Sequence, residues 1–346
     1  MLELTLREEA AAIPNEAASH RPRVWWVTAA IALAGIFGWL ATRSVKWHDL
    51  IAVLRHARVG LLLLSMGVAS FSYLIRALRW QGLLRVEHRI GFWPVFWANS
   101  AGNLGNTILP ARAGELLRTV MISAHSGLSK AFVLSTAFSE RLADVLALLL
   151  LAGFVNSVSH VLPPTLRPMN AAVLAIACIG VLFFCLPRRL EDLGNLLANI
   201  LPERLRERAV QFVRQAAAGV RSLHSYRRLA IFGSLTLVIW LLDAYSTVIA
   251  GWALGLSVPF ALALLLLAAL GLSSIIPALP GQIGLFQFIT IEVMATAGMD
   301  HTHGLMYGLV LQAGSFLVIG FLGLIGIWKH QRSDLHQGYS TINKAP

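Results

Sequence analysis

Acidic side chains are scarce in this sequence. There are 17 aspartates and glutamates among 346 residues, and charged residues of both signs make up 13 %. Soluble domains carry about twice that charged fraction, so this chain lacks the material for a water-facing surface of ordinary size. Cysteine is scarcer still. The two that exist, Cys178 and Cys185, fall inside one apolar block. That excludes a secreted disulfide scaffold and a cysteine-held metal site, and leaves both as small packing or lipid-facing residues. There is no HExxH, no metal-spaced Cys/His cluster, no GxSxG and no Walker loop. His125, His160, His301 and His303 lie at loop edges without carboxylates at ligand spacing. No metal, no cofactor and no catalytic residue is assigned, and the chain is read as a non-enzyme.

What is abundant is apolar: 57 % of the residues, with a mean hydropathy of +0.69. The apolar residues gather in blocks of the ~20-residue length that spans a bilayer, which makes this an integral membrane protein. The net charge of +11 sits at the ends of those blocks, as membrane anchoring requires, so it argues topology and not nucleic-acid binding. Residues 1–23 carry Glu3, Glu8, Glu9 and Glu16 before any apolar run. This is unlike the basic start of a cleaved signal, and a retained polar tail is expected.

Six full spans are expected at residues 24–42, 59–80, 131–154, 168–186, 229–252 and 304–328. Two further blocks, 92–128 and 260–298, are apolar at both ends but broken by turn-formers. These are Gly102, Asn103, Gly105, Asn106, Pro110 and Gly114 in the first, and Ser273, Ser274, Pro277, Pro280, Gly281 and Gly284 in the second. Broken backbone at membrane depth survives only inside protein or beside a wet cavity, so both blocks read as re-entrant hairpins. Residues 187–228 hold nine arginines against four acids, which places this amphipathic insert and both termini in the cytoplasm. One loop disagrees: residues 43–58 would be external yet carry Arg43, Lys46, Arg55 and Arg58.

The expected fold is therefore an all-α polytopic membrane protein, with six spanning helices plus two re-entrant helical hairpins in an inverted-topology repeat. The first membrane repeat covers 24–154 and the second 155–328, with a cytoplasmic tail over 329–346. At an offset of 167 residues, Pro110-Ala111-x-x-Gly114-Glu115 lies over Pro277-Ala278-x-x-Gly281-Gln282, and Arg76 lies over Asp243.

An ionisable side chain at mid-bilayer costs ~2.5–3.5 kcal/mol, so each needs a partner or a purpose. Arg76 shares a helix face with Tyr73 and Trp80, with Arg79 three residues on. Both arginines either snorkel to the surface or place Arg76 under a phosphate. In the first hairpin, Asn103, Asn106, Arg112, Glu115 and Arg118 surround a break from which a helix restarts after Pro110. Free N–H groups beside arginines form an anion site there, or else a solvated turn with a surface ion pair. Glu140, Arg141 and Asp144 put two acids at i and i+4, which repel unless a cation arrives from elsewhere, whether for transport or as structural ion-pair glue. Gln282 and Gln287 follow the second, uncharged break.

Four motifs in order carry a resemblance: Tyr73-x-x-Arg76-x-x-Arg79-Trp80, Asn106-x-x-x-Pro110-x-Arg112-x-Gly114-Glu115-x-x-Arg118, Glu140-Arg141-x-x-Asp144, and Pro277-x-x-Pro280-Gly281-x-x-Gly284. Over residues 24 to 328 the chain resembles the lysylphosphatidylglycerol synthase transmembrane family, the flippase-like region of multiple peptide resistance factors. The fused synthetase domain of those factors is not found here. The resemblance implies translocation of an anionic or modified phospholipid, or of a lipid-linked headgroup, across the cytoplasmic membrane. A phosphate would meet Arg112, Arg76 and Arg118, while Glu115 and Asp144 hold those arginines or contact a cationic headgroup. Without an ATP site, transport would be passive or ion-coupled, with Glu115 or Glu140 as proton carrier. Expected partners are the membrane phospholipid or lipid-linked substrate, with a homo-oligomer and a separate lipid synthase left open. The alternatives are a membrane-embedded enzyme acting on lipid-linked phosphate or sugar, and a non-transporting partner of a synthase.

Overall fold

A computed structural model describes residues 55–109, 113–159, 167–185, 225–273 and 280–342, together with 206 and 210. Among these residues the fold is all helical. The helices are α1 Val59–Leu84, α2 Phe92–Ile108, α3 Gly114–Ser126, α4 Lys130–Ser159, α5 Arg167–Cys185, α6 Tyr226–Ala253, α7 Phe260–Ser273, α8 Leu285–Ala295 and α9 His301–Ile342, with a single 3-10 turn at Pro280–Gln282. The expected span 24–42, the loop up to residue 54, nearly all of the insert 187–228, and Pro110, Ala111 and Arg112 lie outside the described residues.

Helices α1, α6 and α9 are each long and apolar enough to cross a membrane. Helix α4 is longer than either of the first two, but Glu140, Arg141 and Asp144 interrupt its apolar run. Among the described residues, proline stands where its missing N–H costs little. Pro94 stands in the first turn of α2 and Pro259 just ahead of α7. Gly127 ends α3 in the left-handed conformation (φ 71°), returning its N–H to the Ser123 carbonyl at 2.9 Å.

Packing is two-fold in pattern. Helices α1 and α6 run antiparallel, because partners climb one as they descend the other: Ser65 with Ser246, Arg76 with Asp243, Arg79 with Thr236. Exchanging α1–α4 for α6–α9 maps the helix contacts onto one another. Thus α2 on α9 corresponds to α7 on α4, α1 on α2 to α6 on α7, α3 on α4 to α8 on α9, and α1 on α9 to α6 on α4. Arg76 and Asp243, 167 residues apart, meet where α1 and α6 cross.

The broken segment of the first hairpin is later and narrower than its turn-formers suggest. Gly102, Asn103, Gly105 and Asn106 are all helical, since α2 runs unbroken to Ile108. The glycines serve close approach instead of turning. A Cβ on Gly114 would lie 1.9 Å from the Gly102 carbonyl oxygen, and one on Gly105 would lie 2.8 Å from Gly114 Cα. In the second hairpin Ser273 likewise closes α7, and the turn residues are Gly281 (φ 72°), Gln282 (φ 56°) and Gly284 (φ 85°).

The molecule is inside out by soluble standards. Leu63, Leu64 and Phe71 on α1, Ile176 and Ile179 on α5, and Leu317, Phe321 and Leu324 on α9 face outward, while Arg79, Arg118, Glu140, Asp144 and Asn99 are buried. Burying charge and exposing leucine is favourable only where the surroundings are hydrocarbon.

Candidate functional site

The two acids of α4 get their cation from α1. Arg79 donates from Nη1 to Asp144 Oδ1 (2.7 Å), from Nη2 to Asp144 Oδ2 (3.1 Å) and from Nε to Glu140 Oε1 (3.3 Å). Its Nη1 also reaches the Thr236 hydroxyl at 2.9 Å, and its guanidinium lies over the Phe232 ring. The fork-on-fork geometry with Asp144 is the strong form of an ion pair, and it offsets the desolvation that burying both charges costs. Arg79 therefore does not snorkel to the surface.

Glu140 is shared with a second arginine. Arg118 of α3 donates to Glu140 Oε2 at 3.1 Å, to Asn99 Oδ1 of α2 at 2.9 Å and to Glu115 Oε2 at 2.6 Å, with its guanidinium 4.4 Å from the centre of the Trp80 ring. Glu115 in turn accepts from Arg141 at 2.9 Å and from the Asn106 amide at 3.2 Å. Arg76 completes the set. It bonds Asp243 across the α1–α6 crossing, approaches Asp144 at 3.8 Å and lies over Trp240. Four arginines thus meet four carboxylates, and the cluster is neutral as a whole.

Access divides the arginines. The side chains of Arg79 and Arg118 are 2 % and 3 % exposed, against 17 % for Arg76 and 38 % for Arg141. Every donor nitrogen of Arg79 is hydrogen-bonded, while Arg118 Nη2 has only its ion-pair contact with Glu115 at 2.6 Å. All four line a cavity of about 550 Å³, and Arg76 and Arg141 are the two with appreciable exposed surface. It is lined by this cluster with Asn103, Tyr73 and Trp240, and by apolar residues that include Leu62, Met66, Leu266, Leu267, Phe286 and Leu311. Besides Arg118 Nη2, two buried polar atoms of its lining residues, Ser72 Oγ and Trp240 Nε1, have no hydrogen-bond partner. A polar donor left idle in a buried wall is costly unless something else occupies the space.

The amides of the second hairpin form a separate group. Gln287 of α8 accepts from the Gly284 N–H at 2.8 Å and bonds Gln312 of α9, which donates to the Gly281 carbonyl at 2.7 Å. Gln287 and Gln312 occupy in the second half the helix pair that Glu115 and Arg141 occupy in the first. An ion pair on one side of the pattern is answered by neutral amides on the other.

Of the residues singled out from sequence, Arg76, Glu115, Arg118, Glu140, Arg141, Asp144 and Asp243 form one network, with Asn103 and Asn106 at its margin. Gln287 stands apart at the second hairpin, Gln282 takes the turn itself, and Arg112 lies outside the described residues. Sequence reasoning set Arg79 aside, and it overlooked Asn99, Ser72 and Trp240. The signal for Arg79 existed, three residues from Arg76 and facing an acid pair in need of charge. Asn99 and Trp240 carry no signal short of the packing. Among the described residues no cluster of metal-ligating side chains occurs.

Comparison with known proteins shows a likeness over most of the chain. The family of the lysylphosphatidylglycerol synthase TM region matches residues 26–323. The chain belongs to that family. A relative is the glycosyltransferase AglD of Haloferax volcanii, 24 % identical over 326 residues, covering 79 % of this chain and 51 % of the relative. This member of the family thus spans about half the length of the curated relative it matches. No solved structure matches it.

Proposed function

We propose that this chain is a lipid flippase of the cytoplasmic membrane. The headgroup would pass through the central cavity while the acyl chains stay in lipid. The observation that carries the reading is the cavity's amphipathic lining, which combines a neutral Arg/carboxylate cluster with many apolar side chains. Arg76 and Arg141 are the least buried arginines of the cluster, so a lipid phosphate competes with Asp243 for Arg76, and the idle donors of Ser72 and Trp240 serve headgroup oxygens.

In this reading the six spans and two re-entrant hairpins form an inverted-topology repeat whose axis lies in the membrane plane. The antiparallel α1–α6 pair and the exchange-symmetric packing support it. Both termini lie in the cytoplasm, as the arginine asymmetry of the loops argues.

A second reading, transfer of a glycosyl group on a lipid carrier, draws on the name of the Haloferax relative. Against it, both Asp144 oxygens take Arg79 and Glu140 is shared by two arginines. That leaves them poor general acids or bases.

Reconstituted vesicles with a fluorescent reporter lipid, quenched from outside, test the proposal. The chain is expected to equilibrate the leaflets, and Arg76→Lys, which keeps a charge beside Asp243 but loses the paired donors, to slow this with melting nearly unchanged. Chemical conversion of the lipid by the purified chain, or no translocation by a well-folded preparation, overturns it.

A further inference from the structure

A second cavity, of about 430 Å³, lies away from the charge cluster. It is walled by Trp93 and Trp97 of α2, His125 of α3, and Lys329 and His330 of α9. The two tryptophans stack at 6.1 Å between centroids, and the Lys329 ammonium rests 4.5 Å above the Trp97 ring. An ammonium seated on an aromatic face keeps its N–H donors for another ligand, because the ring contact uses charge and not hydrogen bonds.

The surroundings give the chemistry of that ligand. Lys329 marks the end of the apolar stretch of α9. The same end of the bundle gathers the last turn of α1, the start of α2, the end of α3 and the start of α4. Arg85, Arg89, His125 and Lys130 stand there, with Glu87 the only acid between α1 and α2. Trp93 is 59 % exposed on the outer surface, beside Phe92 and Phe96 in one aromatic cluster. Exposed tryptophans next to lysine at the end of a spanning helix mark headgroup depth, and basic residues there draw anionic lipid by ~1 kcal/mol each near the surface. Helix α2 also begins at this wall with no side-chain cap on its first N–H groups, which adds positive potential.

We propose that this cavity is a binding site for an anionic glycerophospholipid of the adjacent leaflet. Lys329 holds the phosphate, and the Trp93–Trp97 pair flanks the glycerol and the first methylenes. It is separate from the central cavity and shares no lining residue with it.

The test uses the full chain in phosphatidylcholine micelles, titrated with phosphatidic acid. The readouts are lipid retained through gel filtration and the melting temperature. Phosphatidic acid is expected to be retained and to raise the melting temperature. Lys329→Gln and Trp97→Ala should each weaken retention roughly tenfold, as loss of one charged contact implies, while Lys130→Ala, at the same end but outside the cavity, keeps it. Melting in phosphatidylcholine alone confirms that the variants fold. Equal losses for Lys329→Gln and Lys130→Ala would mean diffuse attraction and overturn the site. So would equal stabilisation by inorganic phosphate, which would make the ligand a free ion, or equal retention of phosphatidylcholine. Failure of the flippase proposal would show as absent translocation and leave these readouts untouched.

Discussion

Removing Arg79 tests whether the buried cluster is a scaffold. Arg79→Ala deletes two bonds to Asp144, one to Glu140 and one to Thr236. Glu140 keeps Arg118 at 3.1 Å, so the carboxylate left stranded is Asp144, whose nearest remaining cation is Arg76 at 3.8 Å. Asp144 is only 5 % exposed, on the wall of the cavity, so solvation compensates little. One abandoned buried carboxylate costs ~3–5 kcal/mol. At about 2 °C per kcal/mol for a chain of this size, melting in detergent should fall by on the order of 10 °C. Arg79→Met with Asp144→Leu removes both charges and fills much of the volume, so the double variant should recover most of the loss. Fluorescence-monitored gel filtration after heating reads all three proteins. A single variant that melts with the wild type, or a double variant no better than the single, would refute the assignment of Arg79 as the counter-charge of Asp144.

Three further outcomes are expected. Gly114→Ala places a Cβ 1.9 Å from the Gly102 oxygen and 2.4 Å from the Asn106 nitrogen, so the hairpin must open, at a cost above the ~1–3 kcal/mol of ordinary overpacking. Gly67→Ala, with nothing within 4 Å, is the matched control, and thermal melting separates the two. Gln312→Leu strands the Gln287 amide and the Gly281 carbonyl and should lower stability by ~1–3 kcal/mol in the same assay. A cysteine introduced at Ser222 should resist an impermeant maleimide in intact cells and react in inverted vesicles; labelling from outside would reverse the orientation drawn from the arginines.

The membrane class and the helix borders are largely legible in the sequence. The expected spans 59–80 and 229–252 grew by a few residues at one or both ends, and 131–154 extended to Ser159. The acid pair on α4 announced that a cation had to come from another helix, and one did. Two readings needed the structure to correct them. Glycines and asparagines in 102–106 looked like a break because their helix propensity is poor, yet the helix continues there, since a bare backbone lets α3 pack against it. Arg79 looked like a snorkelling side chain near the end of a span. It turned inward because Asp144 and Glu140 lie across the α1–α4 contact.

Hydropathy, the scarcity of acids and the placement of arginines are sums over neighbours in the chain, so the sequence alone determined that this is a helical membrane protein with charges buried in its helices. Which arginine meets which acid is decided across large separations. Arg79 finds Asp144 65 residues away, and Arg76 finds Asp243 167 away. Those pairings follow from the antiparallel α1–α6 contact and from where α4 crosses it. Tertiary packing alone therefore sorted four chemically identical guanidinium groups into two that are almost fully buried and two that stay partly exposed. A buried ion pair forms only where the backbones bring both partners together and shut water out.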